Sequence, residues 1–173
     1  MNFSNGLTMA RIVLIPAFLA VLFSDMPNAR WLSVLFFLLA AGTDWLDGYL
    51  ARRRQEITNF GKLMDPLADK LLISSALIAL VQTGDLHAWV VIVIIGREFF
   101  VTGLRGLAAT KGSIMAAGML GKIKTISQTV AVAWTLAQWA YNDYWMYAAL
   151  FFTLWSGLDY FFKAWKMGDI NLK

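Results

Sequence analysis

Four aspartates at two helical spacings are the residues of this sequence best suited to chemistry. Asp44 and Asp47 are three residues apart and Asp65 and Asp69 are four apart, so each pair shares one face if its segment is helical. Carboxylates brought together from neighbouring helices repel one another unless cations neutralise them. Because all the ligands would be oxygen atoms, the pattern predicts a hard divalent cation, Mg²⁺ or Mn²⁺.

Small residues open the same helical faces. Gly48 and Ala51 fall with the first acidic pair in a stripe about 100° wide, and Gly61 falls on the side of Asp65 and Asp69. A face without large side chains lets a bulky ligand approach the backbone. The alternative is close helix packing, which is common in membranes. Because four acidic residues lie on the same faces, we favour ligand binding over close packing.

The composition predicts that these residues are carried by an all-α membrane protein. Of the 173 residues, 59% are hydrophobic and 15% are charged, with a mean hydropathy of +0.59 and no cysteine. Apolar stretches recur, each about long enough to cross a hydrocarbon core of roughly 30 Å. We predict six transmembrane helices, over residues 7–23, 31–52, 61–81, 88–103, 121–141 and 144–162.

The first predicted helix resembles a signal peptide, but we expect it to stay uncleaved. Arg11 precedes an apolar run, and the segment after that run lacks a small-x-small cleavage site. Thr8 is a candidate N-cap, and Pro16 is expected to kink the helix.

Basic residues concentrate on one side of this predicted bundle. That side holds Arg52, Arg53, Arg54, Lys62, Arg105, Lys111, Lys122, Lys124, Lys163, Lys166 and Lys173. The opposite loops hold Arg30 but otherwise acids and His87. By the positive-inside rule the first side is cytoplasmic, as are both termini. The formal charge of +4 is thus assigned to cytoplasmic loops and not to nucleic-acid binding, and Asp44 would lie roughly 12 Å into the bundle from Arg52 by helix rise.

A second candidate site centres on Arg97, within the fourth predicted helix. A guanidinium inside a membrane is a functional candidate by default and suits two-point binding of a phosphate. Arg105 and Lys124 could complete such a pocket. The alternatives are that Arg97 pairs with an acid and that the other two are loop charges. Glu98 is expected to balance a nearby cation.

The spacing of these residues resembles that of a known family, the CDP-alcohol phosphatidyltransferases. The sequence reads D-x-x-D-G-x-x-A-R from Asp44 and, after eight residues, G-x-x-x-D-x-x-x-D from Gly61. The resemblance continues through N-x-L-T-x-x-R from Asn5, R-E-F from Arg97 and G-K-I-K-T from Gly121. It covers nearly the whole chain, which is therefore expected to be one domain, 1–173. The matches are closest to the branch whose acceptor is glycerol 3-phosphate.

The resemblance implies an enzyme of defined chemistry. Such proteins have six membrane helices, pair as homodimers and use divalent metal, here two Mg²⁺ or Mn²⁺ ions. They transfer a phosphatidyl group from CDP-diacylglycerol to an alcohol and release CMP. A bacterial-type inner membrane is the implied location, with the active site facing the cytoplasm.

The family's residue roles carry over to matching positions. Asp44, Asp47 and Asp65 would be metal ligands, and Asp69 would be the general base and a further metal contact. The CDP-binding residues would be Gly48, Ala51, Arg52 and Gly61, with contributions from Thr8 and Arg11. Arg97, Arg105 and Lys124 would bind the acceptor phosphate.

Two alternatives stay open at this point. The acceptor could be inositol phosphate, serine or a phosphatidylglycerol, although the basic residues near Arg97 favour a phosphorylated alcohol over serine. In a different class, the acids could serve a divalent-cation transporter. Transporters commonly place ion sites near the midplane between repeats, whereas here the acids lie to one side and no repeat is visible.

Overall fold

Six α-helices make up the computed structural model, with short connections between them. Its backbone is described for residues 3–54, 59–112, 115 and 118–166, and its side chains for residues 6, 9–43, 67–112, 115 and 118–166. The helices are α1 (Phe3–Leu22), α2 (Ala29–Arg54), α3 (Asn59–Gln82), α4 (Ala88–Thr110), α5 (Met119–Leu136) and α6 (Asn142–Lys166). Over these described residues, the prediction of an all-α protein with six helices is therefore confirmed.

Several predicted helix boundaries were wrong by four residues or more, among them the end of α6, which extends to Lys166 and not to residue 162. α1 begins at Phe3, so Thr8 lies inside the helix and is not its N-cap. α4 continues past residue 103 to Thr110, because Leu107, Ala108 and Ala109 are strong helix formers and extend the helix beyond Arg105. α5 stops at Leu136, because Gln138 and Tyr141 have φ values of 53° and 63°, which a right-handed helix cannot contain.

Contacts divide the chain into two compact units. The first unit comprises Met1–Leu86 and Val132–Ala140. Within it, α1 contacts α2 and α3, and α2 contacts α3. Phe18 and Phe37, both with no exposed surface, pack with ring centroids 6.0 Å apart. This helix triplet carries all four of the aspartates singled out above.

Hydrogen bonds to the Asp85 carboxylate also connect three segments of the first unit. Arg30 Nη1 donates to Asp85 Oδ2 at 2.7 Å and Thr83 Oγ1 donates to the same oxygen at 2.6 Å. Gln138 Nε2 donates to Asp85 Oδ1 at 3.2 Å. One carboxylate thereby connects the start of α2, the turn after α3 and the turn after α5.

The second unit comprises His87–Ala131 and Tyr141–Lys173. In it α4 packs against α6, and Val101, Leu104, Met115 and Tyr160 form part of a buried cluster. This unit carries Arg97 and Lys124. Within the described part of the chain, none of the helices combines the length and the apolar character that crossing a membrane requires.

Candidate functional site

The helical spacing predicted for the four acids is present in the backbone. Asp44 and Asp47 both fall within α2, and Asp65 and Asp69 both fall within α3. Because α2 and α3 contact each other in the first unit, both acidic pairs are carried by adjacent helices. The arrangement is the one that an all-carboxylate site requires of its scaffold.

The buried faces of α1 and α2 continue along each helix toward the predicted site residues. On α2, Ser33, Phe37 and Ala40 are fully buried, and the same alternation of four and three residues next reaches positions 44, 47 and 51. On α1, Arg11 continues the stripe of Ile15, Phe18 and Leu22 and has no exposed surface. A buried guanidinium is stable only where the interior compensates its charge. The first unit therefore has an interior that accommodates ionised groups.

Most of the predicted donor-site side chains lie outside the described residues. These are Thr8, Asp44, Asp47, Gly48, Ala51, Arg52, Gly61 and Asp65. Asp69 is described and is partly buried on α3, next to buried Ala68. Among the side chains that are described, no three His, Cys, Asp or Glu residues form a metal-holding group. The chemistry of the donor set, carboxylates alone on two adjacent helices, suits a hard divalent cation, and the metal site stays a prediction.

The second unit brings two of the predicted acceptor residues together through an acid. Lys124 Nζ donates to Glu98 Oε1 at 2.6 Å, and Arg97 Nη1 donates to the same oxygen at 3.2 Å. The side chain of Lys124 is 8% exposed, that of Arg97 is 9% exposed and that of Glu98 is 13% exposed. Two cations with little exposed surface share one carboxylate, so these three side chains together carry one positive charge in excess. The expectation that Glu98 balances a cation is confirmed, and it balances two.

Helix α6 supplies the other wall around Arg97. Arg97 Nη2 donates to Ser156 Oγ, and the guanidinium carbon lies 5.8 Å from the centroid of the Tyr160 ring. A Cβ atom at Gly157 would lie 3.1 Å from Arg97 Cγ and 3.7 Å from Nε. The glycine therefore lets the arginine stem lie directly on the α6 backbone.

These contacts belong to a series of hydrogen bonds that links α4, α5 and α6. Gln128 Nε2 donates to Thr153 Oγ1 at 2.8 Å, and Ser156 Oγ donates to the Thr153 carbonyl oxygen at 3.4 Å. Both ends of the series, Lys124 and Gln128, lie on α5, four residues apart. We call this set the polar ring; its members are Arg97, Glu98, Lys124, Gln128, Thr153 and Ser156.

Arg105, the third predicted acceptor residue, is exposed on α4. Within the described residues no hydrogen bond or ion pair joins it to the polar ring. Gln128, Thr153 and Ser156 were not anticipated, because neutral polar residues in largely apolar helices show no periodic signal. Gln128, an amide flanked by Ser127 and Thr129, was an available hint, since a buried amide needs hydrogen-bond partners.

Comparison with known proteins defines the class. The sequence model of the CDP-alcohol phosphatidyltransferase family matches residues 1–155. The chain belongs to this family, and the family prediction from the aspartate motif is confirmed.

Several bacterial proteins are similar over almost their full length, and each is named CDP-diacylglycerol–glycerol-3-phosphate 3-phosphatidyltransferase. The Bacillus subtilis protein is 45% identical over 95% of this chain and 96% of its own. The Salmonella paratyphi A protein is 41% identical over 98% and 97%. The Escherichia coli K12 protein is 40% identical over 94% of each.

Proposed function

We propose that this chain transfers the phosphatidyl group of CDP-diacylglycerol to glycerol 3-phosphate, forming phosphatidylglycerophosphate and CMP. The observation that carries the proposal is the near full-length similarity to proteins of that name. The polar ring adds a physical reason for a phosphorylated acceptor over serine, since it holds buried positive charge in excess.

In the proposed reaction, a hydroxyl oxygen of glycerol 3-phosphate attacks the phosphorus that bears the diacylglycerol. The new P–O bond forms as the pyrophosphate P–O bond to CMP breaks, and CMP leaves with that electron pair. Asp69 accepts the hydroxyl proton, because an alcohol is a weak nucleophile until it is deprotonated. The partial burial of Asp69 on α3 is compatible with this role.

Asp44, Asp47 and Asp65, with Asp69 as a further contact, would hold two Mg²⁺ or Mn²⁺ ions. When bound, such ions neutralise pyrophosphate charge and orient the leaving group. Arg52 and Arg11 would contribute positive charge toward the nucleotide, and Thr8, Gly48, Ala51 and Gly61 would line its site.

Arg97 and Lys124 would bind the acceptor phosphate. A phosphate dianion compensates the excess charge of the polar ring and forms charge-assisted hydrogen bonds with both cations. Arg105, exposed farther along α4, would meet the phosphate at the entrance. The three residues thus differ in depth, and we expect Arg97 and Lys124 to contribute more than Arg105.

We further propose that the protein resides in a bacterial-type inner membrane as a homodimer, with both termini and the active site on the cytoplasmic side. Supporting this setting, Ile92 and Phe99 on α4 are 70% and 72% exposed, which is costly in water and favourable in lipid. The loops rich in Arg and Lys alternate with acidic loops along the sequence. The homodimer rests on the family resemblance.

An acceptor screen with purified protein tests the function. CDP-diacylglycerol is supplied with glycerol 3-phosphate, inositol phosphate, serine or phosphatidylglycerol, with Mg²⁺ or with a chelator, and CMP and lipid product are measured. We expect product with glycerol 3-phosphate and Mg²⁺ only. Preference for another acceptor would contradict the substrate assignment, and full turnover with chelator would contradict the metal site.

A further inference from the structure

Two neighbouring side chains, Ser156 and Glu98, set the orientation of the Arg97 guanidinium. Ser156 has no exposed surface, and its Oγ accepts from Arg97 Nη2 while donating to the Thr153 carbonyl oxygen at 3.4 Å. Arg97 Nη1 is held by Glu98 Oε1. Two nitrogens of one guanidinium are thus directed by two different helices, α4 and α6, which fixes the plane of the group.

The support for Ser156 extends one layer farther from Arg97. Thr153 Oγ1 donates to the Ala149 carbonyl oxygen at 2.6 Å and accepts from Gln128 Nε2 at 2.8 Å. Thr153 and Gln128 are 0% and 2% exposed. Because these groups have fixed partners and no contact with solvent, the Ser156 hydroxyl has little freedom to turn away from Arg97.

Building on the proposed function, we infer that Ser156 is a positioning residue for the acceptor phosphate and acts through Arg97. Two-point binding of a phosphate depends on the plane of the guanidinium, so a group that fixes this plane contributes to acceptor affinity without touching the acceptor. Arg97 retains further N–H donors for the phosphate after its bonds to Glu98 and Ser156.

A double-mutant cycle separates this role from a general contribution to folding. Ser156→Ala, Arg97→Ala and the double variant are compared by steady-state kinetics, with each substrate varied in turn. Ser156→Ala should raise KM for glycerol 3-phosphate about three- to tenfold, as expected for loss of one hydrogen bond. KM for CDP-diacylglycerol should stay unchanged. In the Arg97→Ala background, Ser156→Ala should have no further effect, because the group through which it acts is gone.

Ser33→Ala is the matched control. Ser33 also has no exposed surface and donates only to a helix carbonyl, that of Ala29 at 2.7 Å. It lies on α2 in the first unit, so its removal should leave both KM values at the wild-type level. Ser156→Thr keeps the hydroxyl and should recover acceptor binding at least in part.

If Ser156→Ala does not purify as a folded protein, Ser156→Cys enters the same cycle, because a thiol is similar in shape and a weak acceptor. Equal effects of the serine change with and without Arg97, or an equal rise in both KM values, would overturn the inference. Wild-type protein that releases no CMP from the two substrates would instead refute the proposed function. The two failures are therefore distinguishable.

Discussion

At the scale of single residues, Arg97 is the sharpest test of the acceptor site. Replacing it with alanine removes charge-assisted hydrogen bonds worth about 1.5–3 kcal/mol, so kcat/KM for glycerol 3-phosphate should fall by roughly one to two decades. Arg97→Lys should recover only part, since an ammonium lacks the planar two-point contact. Steady-state kinetics with each substrate varied in turn measures both effects. A rise in KM for CDP-diacylglycerol alone would place Arg97 in the donor site.

Asp69 is the corresponding test of the proton acceptor. Asp69→Asn keeps the shape of the side chain but removes the base, so kcat should fall by about 10²–10⁴-fold. Asp159→Asn is the control: its carboxylate makes an i, i+4 pair with Lys163 at 2.6 Å, and exposed pairs of this kind contribute little. Single-turnover CMP release reports the chemical step directly. Near-normal release by Asp69→Asn would exclude it as the base.

The residues that the sequence revealed are those whose charge is unusual in an apolar chain. Arg97, Glu98 and Lys124 were noticed for that reason, and their association is present in the structure. Ser156 and Gly157 were missed because serine and glycine are common in apolar helices. Their importance appears only when a contact across 59 positions of sequence places Ser156 against Arg97.

At the scale of helices, the contact of α4 with α6 depends on Gly157. A Cβ atom there would lie 3.1 Å from Arg97 Cγ, closer than ordinary van der Waals contact, so Gly157→Ala should displace the arginine stem by a few tenths of an ångström. Even a small displacement of a group that positions a substrate lowers catalytic efficiency. We therefore expect a severalfold rise in KM for glycerol 3-phosphate, measured by steady-state kinetics.

The matched change is Gly106→Ala on α4, where an added Cβ meets nothing within 4 Å. It should leave the kinetics unchanged and raise helix stability by about 0.5–1 kcal/mol, because alanine loses less backbone entropy than glycine. Equal kinetic effects of the two alanines would show that crowding at Arg97 is not the cause.

The loop cluster around Asp85 predicts a pH-dependent stability. Burial by itself raises the pKa of Asp85, but hydrogen bonds from Thr83, Arg30 and Gln138 and the Arg30 charge outweigh it and lower the pKa below 3.8. The stabilisation is therefore present above the unfolded-state pKa and is lost as pH falls through the folded-state pKa. Asp85→Asn should lower stability by on the order of 1 kcal/mol near pH 7.

Thermal unfolding in detergent at several pH values measures this effect. The difference between wild type and Asp85→Asn should shrink as the pH falls below about 4, whereas exposed Asp25→Asn should match wild type throughout. A stability difference between wild type and Asp85→Asn that grows as the pH falls would contradict the predicted direction of the pH dependence.

Helix number was predictable because apolar stretches separated by polar turns recur at a regular length. The ends of the helices were less predictable, because hydropathy shows where a segment becomes polar and not where the backbone stops being helical. α4 continues through the polar Arg105 to Thr110, just before Gly112 with φ of 76°. α5 stops within an apolar region because Gln138 takes a left-handed conformation.

At the scale of the whole molecule, the proposed topology can be tested at the two ends of α4. The chain has no cysteine, so His87→Cys and Thr110→Cys each create a single reactive site. Both positions are exposed, whereas Gly84, with φ of 78°, would strain any other residue. In intact cells, an impermeant thiol reagent should label His87→Cys only. The reverse pattern would place the acids on the side opposite to the one we propose.

The family and its chemistry were accessible from sequence because the aspartate motif is long and has fixed separations. The homodimer was predicted only by resemblance, whereas the membrane setting was predicted from composition and the divalent cation from the four aspartates; all three stay predictions. Each of these features involves a component other than the polypeptide, namely lipid, metal ions or a second chain. The sequence indicates such components only indirectly, through exposed apolar surfaces and charges that need a partner.

The polar ring has a consequence for the order in which the protein is made. Its cations are on α4 and α5, but Ser156 and Thr153 are on α6, which is synthesised after the other five described helices. A nascent chain that has completed five helices already contains every aspartate and arginine assigned here, yet its Arg97 still lacks the group that directs it. We therefore expect affinity for glycerol 3-phosphate to rise severalfold when Ser156 and Thr153 of α6 have been added, a timing that chains stalled at successive lengths would reveal.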